Sequence, residues 1–514
     1  MSARAKIALG FFLLTAAVYI LTAPGRIDSI DGQFRYDVTQ SLISVGETVI
    51  RDPWLWGVPG LDDKLYSYYN AAPSLVAIPL VWAGGLTDDP LAERRRFLFS
   101  LTTAFFGAAT AAVMLIFLTD LAVPLRKATL WTGVHSFATI AWPAATSVLD
   151  QVQHGFWVLL AAWLGFRAAR GALSHAIPYG AGACIAGAVL INYQPHFTLL
   201  IAPLALIAWT ASTAETARPR WQIAGLILLA APMGLGWSFY YNEIRFGTPF
   251  YFDKLDIGVN QPPLFGSPIE GLIGLLVSPG KSIFLYSPVV LLALLGWNAL
   301  RRRWPMVAWC AAAVMGVQLL FTSCLAFFHG DWCWGPRYLA VTLPLFGLAM
   351  AFGDYSAWRK PLATGLIGVG LVIQLLGLTT VHERYFFERG LPPFFWWPQQ
   401  GFYLEHSPLL ARPGEVWQIL TEGVPDDTEQ FSPTPHPRLR TYFIAGSNPS
   451  HMAPTWMRQF EVFYRFRPWT FWSLSVPRQD RPVPYLPSVA LLLALGAGGG
   501  LLLRRGLLEP EAVP

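Results

Sequence analysis

The chain has 514 residues, of which 54% are hydrophobic and 13% are charged, and its formal net charge is +5. Soluble domains carry about 25% charged residues, so this composition, with apolar runs from end to end, excludes a soluble globular protein and predicts a polytopic membrane protein. Membrane orientation explains the positive charge more simply than a nucleic-acid partner, because most of it is loop arginine.

Basic clusters orient the apolar segments. Arg4 and Lys6 place the N-terminus inside, and no good small-residue cleavage site follows, so we expect an uncleaved first helix rather than a signal peptide. With the other basic clusters inside, the chain crosses the membrane twelve times and both termini lie inside. The predicted spans are 7–23, 97–120, 128–147, 155–171, 177–192, 196–212, 221–241, 280–299, 305–326, 339–356, 361–380 and 485–503.

One apolar segment breaks this alternation. The region 73–87 begins with an apolar run from Pro73 to Trp82, which we interpret as a helix at the outer surface. The alternative makes it a span, places the three arginines at 94–96 inside and shifts the topology elsewhere. The predicted organisation is a transmembrane module at 1–380 with a first outer loop at 24–96, a Pro- and aromatic-rich extracytoplasmic segment at 381–484, and a final span with a cytoplasmic tail at 485–514.

The first outer loop carries the most informative stretch. Asp31 lies in a Gly-containing turn, and Arg35 and Tyr36 then open a short amphipathic helix. Such a helix would lie in the membrane surface and hold the Asp31 carboxylate at the mouth of a membrane-embedded cavity. The alternative is a solvated loop acid beside an ordinary interfacial helix. The helix has three apolar residues on one face and a terminal glycine: Val38, Leu42, Val45 and Gly46.

Two cations stand in aromatic surroundings near the predicted outer face. Lys64, two residues before Tyr66, is suited to bind a phosphate as a point charge or to snorkel to lipid headgroups. Arg337, followed by Tyr338, comes after a Gly-Pro turn at the start of a span. An arginine there is expensive unless it is paired, which marks a phosphate or carboxylate site, and a snorkelling arginine is the alternative.

Asp150 begins an apolar helix at the outer face, and His154 lies one turn further on. Helix capping alone would explain Asp150; the functional interpretation is a second carboxylate that faces Asp31 across the cavity, as a metal ligand or a substrate contact. A single histidine in this position is more often structural. The 278–282 stretch resembles a fragment of a phosphate loop, but it lacks the first glycine at the required spacing, so we expect no nucleotide site.

Together these residues resemble the GT-C class of membrane glycosyltransferases, and within it the protein O-mannosyltransferase and lipid A aminoarabinose transferase group. Asp31 followed by Arg35-Tyr36 is similar to that group's first-loop acid and Arg-Tyr pair. Lys64 with Pro73 is similar to the Lys and Pro that open its second juxtamembrane helix. Asp150 falls where the group often has an acid in the next outer loop.

The Trp334 to Leu339 stretch resembles a motif of uncharacterised bacterial members of the group. The group's Asp-Glu pair is here Asp31-Gly32, with one extra residue before the arginine, which leaves Asp28, Asp31 and Asp37 as candidates for the catalytic acid. Its Lys-Pro-Pro run is replaced by Lys64 and two other residues. The resemblance covers roughly residues 1–380.

The resemblance implies an all-α GT-C-like bundle of about twelve transmembrane helices, with juxtamembrane helices in the first outer loop and catalysis in the 1–380 module. It implies inverting transfer of a sugar from a polyprenyl-phosphate donor to a lipid, glycan or protein acceptor at the outer face of a bacterial inner membrane. Asp31 would be the general base, Asp150 and His154 a second acid or a divalent-cation site, and no nucleotide would take part. The implied contacts of the lipid phosphate are Arg35, Tyr36, Lys64, Tyr66, Arg337 and Tyr338.

Two other functional classes remain as alternatives. A transporter or flippase usually places charges inside its spans near the midplane, whereas these spans contain almost no acids. A non-catalytic scaffold would bind a partner through its long outer segment and would tolerate replacement of Asp31. Among the four cysteines, Cys324 and Cys333 lie near the outer face, either as a disulfide or as two free thiols.

Overall fold

The computed structural model describes residues 2–27, 29–51, 57–86, 93–170, 173–210, 221–251, 265–330, 333–379, 382, 404, 407–422, 471–475 and 483–509. This part of the chain is a helical bundle with one small sheet, in which β1 (Val58–Pro59) pairs antiparallel with β2 (Leu65–Tyr66). The prediction of an all-α polytopic membrane protein is confirmed.

The first half of the described chain contains twelve helices. They are α1 (Ala3–Thr22), α2 (Ile30–Val45), α3 (Ala72–Gly84), α4 (Glu93–Ser100), α5 (Thr102–Asp120), α6 (Leu125–Phe137), α7 (Ala141–Thr146), α8 (Gln151–Arg170), α9 (Leu173–Ile191), α10 (Thr198–Thr210), α11 (Trp221–Leu228) and α12 (Ala230–Phe246). The second half contains α13 (Pro268–Leu276), α14 (Ile283–Tyr286), α15 (Ala293–Arg303), α16 (Pro305–Cys324), α17 (Leu343–Met350), α18 (Arg359–Thr379), α19 (Pro408–Glu422), α20 (Trp472–Ser475) and α21 (Tyr485–Leu508). Short 3-10 helices lie at Leu61–Asp63, Pro195–Phe197, Pro288–Leu292 and Arg337–Thr342.

Six helical segments in the described residues have the length and apolar composition needed to cross a membrane. They are Ala3–Thr22, Arg94–Asp120, Trp221–Phe246, Pro305–Cys324, Arg359–Thr379 and Tyr485–Leu508. The other predicted spans coincide with helices that are shorter, interrupted or, as in the 20-residue α8, less apolar, so the count of twelve stays a prediction. The predicted span 339–356, for example, is a 3-10 helix followed by α17, which ends at Met350.

The predicted span 128–147 is broken between α6 and α7. Pro143 cannot donate a hydrogen bond to the carbonyl of Thr139, which interrupts the helix at that point. At the break, the backbone amide of Ile140 donates a hydrogen bond to the hydroxyl of Ser287, with N and Oγ 2.9 Å apart. A break inside a membrane bundle persists only when its backbone groups are satisfied in this way.

The first and last described helices pack closely through small residues. A Cβ added at Gly10 of α1 would lie 2.7 Å from the carbonyl oxygen of Gly499 in α21. Glycines at this contact let the two backbones approach, as in other membrane helix pairs. At the end of the pair, Lys6 forms an ion pair with Glu509. The C-terminal helix is thereby held against the start of the bundle.

Helix α2 begins five residues earlier than the sequence predicted. Ser29 is its N-cap, and its hydroxyl accepts a hydrogen bond from the amide of Gly32, 3.1 Å away. Asp31 therefore lies in the first helical turn, where the helix dipole favours an acid, and not in a preceding turn. The helix ends at Gly46, as predicted, because Gly46 takes a left-handed conformation with φ 74°.

The environment of α2 also differs from that of a surface helix. In its first half the polar residues Gln33, Arg35 and Asp37 are buried, as are Phe34, Tyr36 and Val38, whereas Val45 near its end is 50% exposed. Arg35 and Asp37 tolerate burial because neighbouring segments supply partners; the Asp37 carboxylate, for instance, accepts the backbone N–H of Arg51 at 2.6 Å. The first half of the helix is thus enclosed by the rest of the first outer loop and by the bundle.

Helix α3 supports the interpretation of the 73–87 segment as a surface helix. It has 13 residues, which corresponds to about 20 Å at about 1.5 Å per residue. The hydrocarbon core of a bilayer is about 30 Å thick, so α3 is too short to cross it. The predicted extracytoplasmic segment 381–484 lies largely outside the described residues, apart from short pieces that include α19 and α20.

Candidate active site

Three segments that are distant in sequence meet at one end of the bundle. The first turns of α2 supply Asp31 and Arg35, the residue before α8 supplies Asp150, and the 3-10 helix at 337–342 supplies Arg337. An Arg337 nitrogen, Nη1, lies 3.4 Å from Oδ2 of Asp31. Nη2 of Arg35 lies 2.9 Å from Oδ2 of Asp150. The sequence-predicted acids and arginines therefore form a single charged cluster.

The Arg35–Asp150 ion pair is the buried half of this cluster. The two side chains are 4% and 3% exposed, and Nε2 of His154 lies 3.3 Å from the same carboxylate oxygen. Burial alone would raise the pKa of Asp150, but the charge of Arg35 and the adjacent His154 side chain outweigh it and hold that pKa well below its usual range. Burial would likewise lower the pKa of Arg35, and Asp150 and Asp31 raise it instead. Both groups stay ionised.

Asp31 is the accessible acid of the cluster. Its side chain is 19% exposed, compared with 3% for Asp150. A solute can therefore reach the Asp31 carboxylate, whereas the Asp150 carboxylate is enclosed. Gly32 keeps α2 close to the segment before α8, because a Cβ at that position would overlap Cγ2 of Val148. This contact explains why a glycine, and not the glutamate of the resembling group, follows Asp31.

Tyr69 completes the cluster, although the sequence did not single it out. Its ring centroid lies 4.6 Å from the guanidinium carbon of Arg35, a favourable cation–π geometry. Burial and the nearby Asp31 carboxylate raise the pKa of the Tyr69 hydroxyl well above its usual value. The sequence signal for Tyr69 is the aromatic run after Lys64, from which only Tyr66 was predicted as a site residue.

Tyr69 is held in place by a buried arginine that the sequence also did not identify as a site residue. The Arg245 side chain at the end of α12 is fully buried, and its Nη1 donates to the backbone carbonyl of Ser67 at 2.5 Å. Its Nη2 donates to Oδ1 of Asn242 at 3.0 Å. Arg245 thus fixes the backbone of the segment that carries Tyr69.

The turn before Arg337 has a similar support. The ammonium of Lys281, which is fully buried, donates to the carbonyl oxygens of Cys333 at 2.9 Å and Gly335 at 3.3 Å. Gly335 has φ 69°, a conformation that favours glycine. The Lys281 stretch, which the sequence only marked as an incomplete phosphate loop, therefore holds the turn that presents Arg337. Cys324 and Cys333 are free thiols and form no disulfide.

Tyr338 lies beside the cluster, and its hydroxyl accepts a hydrogen bond from Nη2 of Arg337 at 3.2 Å. Three other predicted contacts of the lipid phosphate, namely Tyr36, Tyr66 and Lys64, lie apart from the charged cluster. Tyr36 is buried with its ring centroid 5.5 Å from that of Phe99. Tyr66 is buried against Phe246, with ring centroids 5.8 Å apart.

The ammonium of Lys64 lies 3.0 Å from the carboxylate of Glu47, and the two side chains are 38% and 46% exposed. The hydrogen bond to Glu47 raises the pKa of Lys64. The neighbouring groups that influence it are Glu47, Tyr66 and Asp62, and none of these is a member of the cluster.

A divalent cation does not fit the cluster as the described residues form it. No group of three or more histidine, cysteine, aspartate or glutamate side chains lies close enough in this part of the chain to hold a metal ion. Asp31 and Asp150 each already pair with an arginine. Hard divalent cations need several oxygen ligands, and two carboxylates engaged by guanidinium groups do not supply them. Asp28 lies outside the described residues.

Comparison with solved structures identifies the fold. ArnT from Cupriavidus metallidurans bound to undecaprenyl phosphate aligns with a TM-score of 0.50 and 14% identity, over 89% of this chain and 87% of that chain. The apo state of the same protein gives a TM-score of 0.49 and 14% identity over 96% and 75%. The archaeal oligosaccharyltransferase AglB from Archaeoglobus fulgidus, in complex with an inhibitory peptide and a dolichol-phosphate, gives a TM-score of 0.41 and 12% identity, over 93% of this chain and 61% of that chain.

No protein-family model matches the sequence, and no curated protein matches it. The structural likeness nevertheless confirms the GT-C-like fold that the sequence motifs predicted. ArnT is a lipid A aminoarabinose transferase, the group that the first-loop acid and Arg-Tyr pair resemble. The chain is an integral, multi-pass membrane protein that has the GT-C fold of ArnT.

Proposed function

We propose that the chain is a glycosyltransferase that moves a hexosyl or pentosyl group from a polyprenyl-phosphate donor to an acceptor hydroxyl of a lipid, glycan or protein. Transfer takes place at the outer face of the membrane, which we assign to a bacterial inner membrane with its site facing the periplasm. The observation that carries the proposal is the accessible Asp31 carboxylate, set between the guanidinium groups of Arg337 and Arg35. The ArnT fold, in a structure that holds undecaprenyl phosphate, supports the choice of donor.

The chemistry follows from the charges of the cluster. Asp31 accepts the proton of the acceptor hydroxyl as the new bond forms between that oxygen and the anomeric carbon. The bond between the anomeric carbon and the phosphate oxygen breaks on the opposite face, so the configuration inverts. Its electron pair leaves with the polyprenyl phosphate, whose growing charge needs electrostatic stabilisation. Arg337, whose Nη1 lies 3.4 Å from the Asp31 carboxylate, would supply it.

Asp31 suits the role of base better than the other acids of α2 and α8. Asp150 is enclosed and neutralises Arg35, which keeps that guanidinium charged and fixed beside the reacting groups. Asp37 is buried and accepts the backbone N–H of Arg51. The Nε and Nη1 groups of Arg35 have no hydrogen-bond partner in the described part of the chain. They are donors that a phosphate or a sugar hydroxyl would satisfy.

Lys64 is a proposed second contact for the donor phosphate. Its ion pair with Glu47 is partly exposed, so water and salt screen it and it breaks at little free-energy cost. The donor phosphate would compete for the ammonium, and its negative charge grows as the sugar leaves it. Lys64 would then exchange Glu47 for the donor, and Tyr66, two residues away, would lie beside the same phosphate.

The proposal is tested by a transfer assay with purified protein, a panel of polyprenyl-phosphate sugars and a panel of acceptors. Asp31→Asn is compared with wild type and with Asp62→Asn. Asp62 is a matched control because it is an exposed acid of the same outer loop, and its positive φ of 59° suits asparagine. We expect turnover by the wild type and the control, and loss of turnover in folded Asp31→Asn.

Retained turnover in Asp31→Asn would remove Asp31 as the base while leaving the enzyme class intact. Absence of turnover by the wild type, together with movement of the labelled donor lipid across a proteoliposome bilayer, would favour a flippase instead.

A further inference from the structure

Helix α19 turns charged side chains toward the protein and apolar side chains outward, which is the reverse of a helix on a water-exposed surface. Arg412 is fully buried, and its Nε lies 3.3 Å from the carboxylate of Glu415. Leu410, Trp417 and Leu420 point outward and are 57%, 68% and 63% exposed. These three positions fall within one arc of the helix, because steps of seven and three residues return close to the same face. The charges therefore face the protein and the apolar side chains face away from it.

The inward face is held by specific contacts near the candidate active site. The guanidinium of Arg412 lies 5.7 Å from the ring centroid of Trp334, and Nη2 of Arg412 lies 3.3 Å from Nδ1 of His382. The Trp334 side chain is three residues before Arg337. Helix α19 thus lies at the same end of the bundle as the charged cluster, and its orientation about its own axis is fixed by buried polar contacts.

A second short helix beside α19 shows the same pattern. Ile269, Ile273 and Val277, at and just after α13, are exposed and recur every four residues, so they share one face. The hydroxyl of Ser407, which precedes α19, donates to the carbonyl of Pro279, 2.7 Å away. Side chains of both helices pack into one apolar core with Tyr286. The two helices are therefore neighbours, and we call them the outer helix pair.

The exposed apolar surface continues from the outer helix pair onto a membrane span. Helix α18 has the length and composition of a transmembrane helix, and Val369, Val372 and Leu375 are exposed along it. Such side chains on a spanning helix face lipid. Helix α19 packs against α18, so its own apolar face adjoins a surface that the bilayer already covers.

We propose that the outer helix pair is a membrane-docking surface, in which Leu410, Trp417 and Leu420 of α19 insert into the lipid of the adjacent leaflet. The occupant is the boundary between lipid headgroups and acyl chains, where amphipathic helices lie about 5–10 Å deep. Tryptophan prefers this boundary because its ring is apolar and its N–H is polar. Among the side chains of α19 whose exposure the structure describes, none on the exposed face is charged, as insertion requires. Helix α19 of the outer segment thus belongs to the membrane surface and not to a water-exposed lobe.

The test places a nitroxide label at one position at a time in the full chain, reconstituted in phosphatidylethanolamine–phosphatidylglycerol nanodiscs. The labelled variants are Leu410→Cys, Trp417→Cys and Leu420→Cys, in a background with Cys324→Ser because the other three cysteines are buried. Val372→Cys is the lipid reference. Asp354→Cys, whose native side chain is 66% exposed in a loop, is the water reference. Collision rates with oxygen and with a water-soluble nickel chelate are measured for each.

We expect the oxygen-to-nickel collision ratio at all three positions to shift from the value of the water reference to that of the lipid reference. A ratio equal to the water reference would overturn the proposal. Low collision rates with both reagents would also overturn it, because they would mean that protein, from a second copy or from this chain, covers the face.

A second measurement needs no label. Quenching of tryptophan fluorescence by brominated lipids is compared between wild type and Trp417→Phe. The proposal requires that the substitution removes a quenchable component, and equal quenching in the two proteins would contradict it. Neither measurement depends on transfer activity, so the outcome is independent of the proposed function.

Discussion

Replacement of Asp150 by asparagine removes the counter-charge of Arg35 while preserving the size of the side chain. The two groups are 2.9 Å apart and 4% and 3% exposed, so the arginine cannot move into water. Breaking a buried pair by removing one partner destabilises a protein by about 3–5 kcal/mol. The cation–π contact with Tyr69 retains part of the stabilisation, about 0.5–2 kcal/mol. We therefore expect Asp150→Asn to lose about 3 kcal/mol of unfolding free energy.

The loss is measured by SDS titration in mixed micelles, with the thermal midpoint as an independent readout. A paired variant, Arg35→Met with Asp150→Leu, provides the control, because apolar replacement of both members of a buried pair is often neutral. We expect it to recover most of the stability of the wild type and none of its transfer activity. A change in Asp150→Asn of less than about 0.5 kcal/mol, as for a surface substitution, would refute the account of the buried pair.

The same pair has a defined pH dependence. The pKa of Asp150 is lower in the folded protein than in the unfolded chain. Its contribution to the free energy of unfolding is therefore fully present above the pKa of the unfolded chain, about 3.9. The contribution is lost as the pH falls from there through the folded pKa. We expect the stability difference between wild type and Asp150→Asn to be constant from neutral pH to about pH 5 and to shrink only in stronger acid.

Three further predictions concern the surroundings of the base. Tyr69→Phe keeps the ring against the guanidinium but removes the hydroxyl, so we expect steady-state kinetics to show a lower kcat with an unchanged KM for the donor; a change in KM alone would contradict this. Lys64→Ala should raise the KM for the donor, whereas Glu47→Ala, which releases the same ammonium, should not raise it; equal effects of the two variants would argue for a structural ion pair. Gly32→Ala introduces an overlap with Val148 and should destabilise by about 1–3 kcal/mol, and adding Val148→Ala should relieve it; no relief in SDS titration would place the strain elsewhere.

Properties that depend on composition and on the free energy of charge in an apolar setting could be predicted from the sequence. Low charge and long apolar runs identified a membrane protein. Charged groups next to apolar helices are expensive unless they are paired. The sequence therefore predicted site residues at Asp31, Arg35, Asp150 and Arg337. Gly46 marked the end of α2 because a helix commonly ends at a left-handed glycine. Each of these is a local or additive property of the chain.

The pairing of the charges depended on the fold. Arg35 and Asp150 are more than a hundred residues apart, and Asp31 and Arg337 about three hundred, so no pattern along the chain could assign them to each other. The ion pair of Lys64 with Glu47 is likewise a contact that the sequence pattern did not predict, and the expected phosphate contact of Lys64 stays a prediction.

Burial was equally a tertiary property. The periodicity of α2 indicated a helix with one wet face, but neighbouring segments cover both faces of its first half and offer partners to Arg35 and Asp37. Arg245 and Lys281 look like ordinary interfacial cations in the sequence, and only the folded chain brings backbone carbonyls to them. A sequence shows which groups need a partner, because that need is set by the chemistry of each side chain. Which partner each group obtains depends on where the packed helices place the rest of the chain.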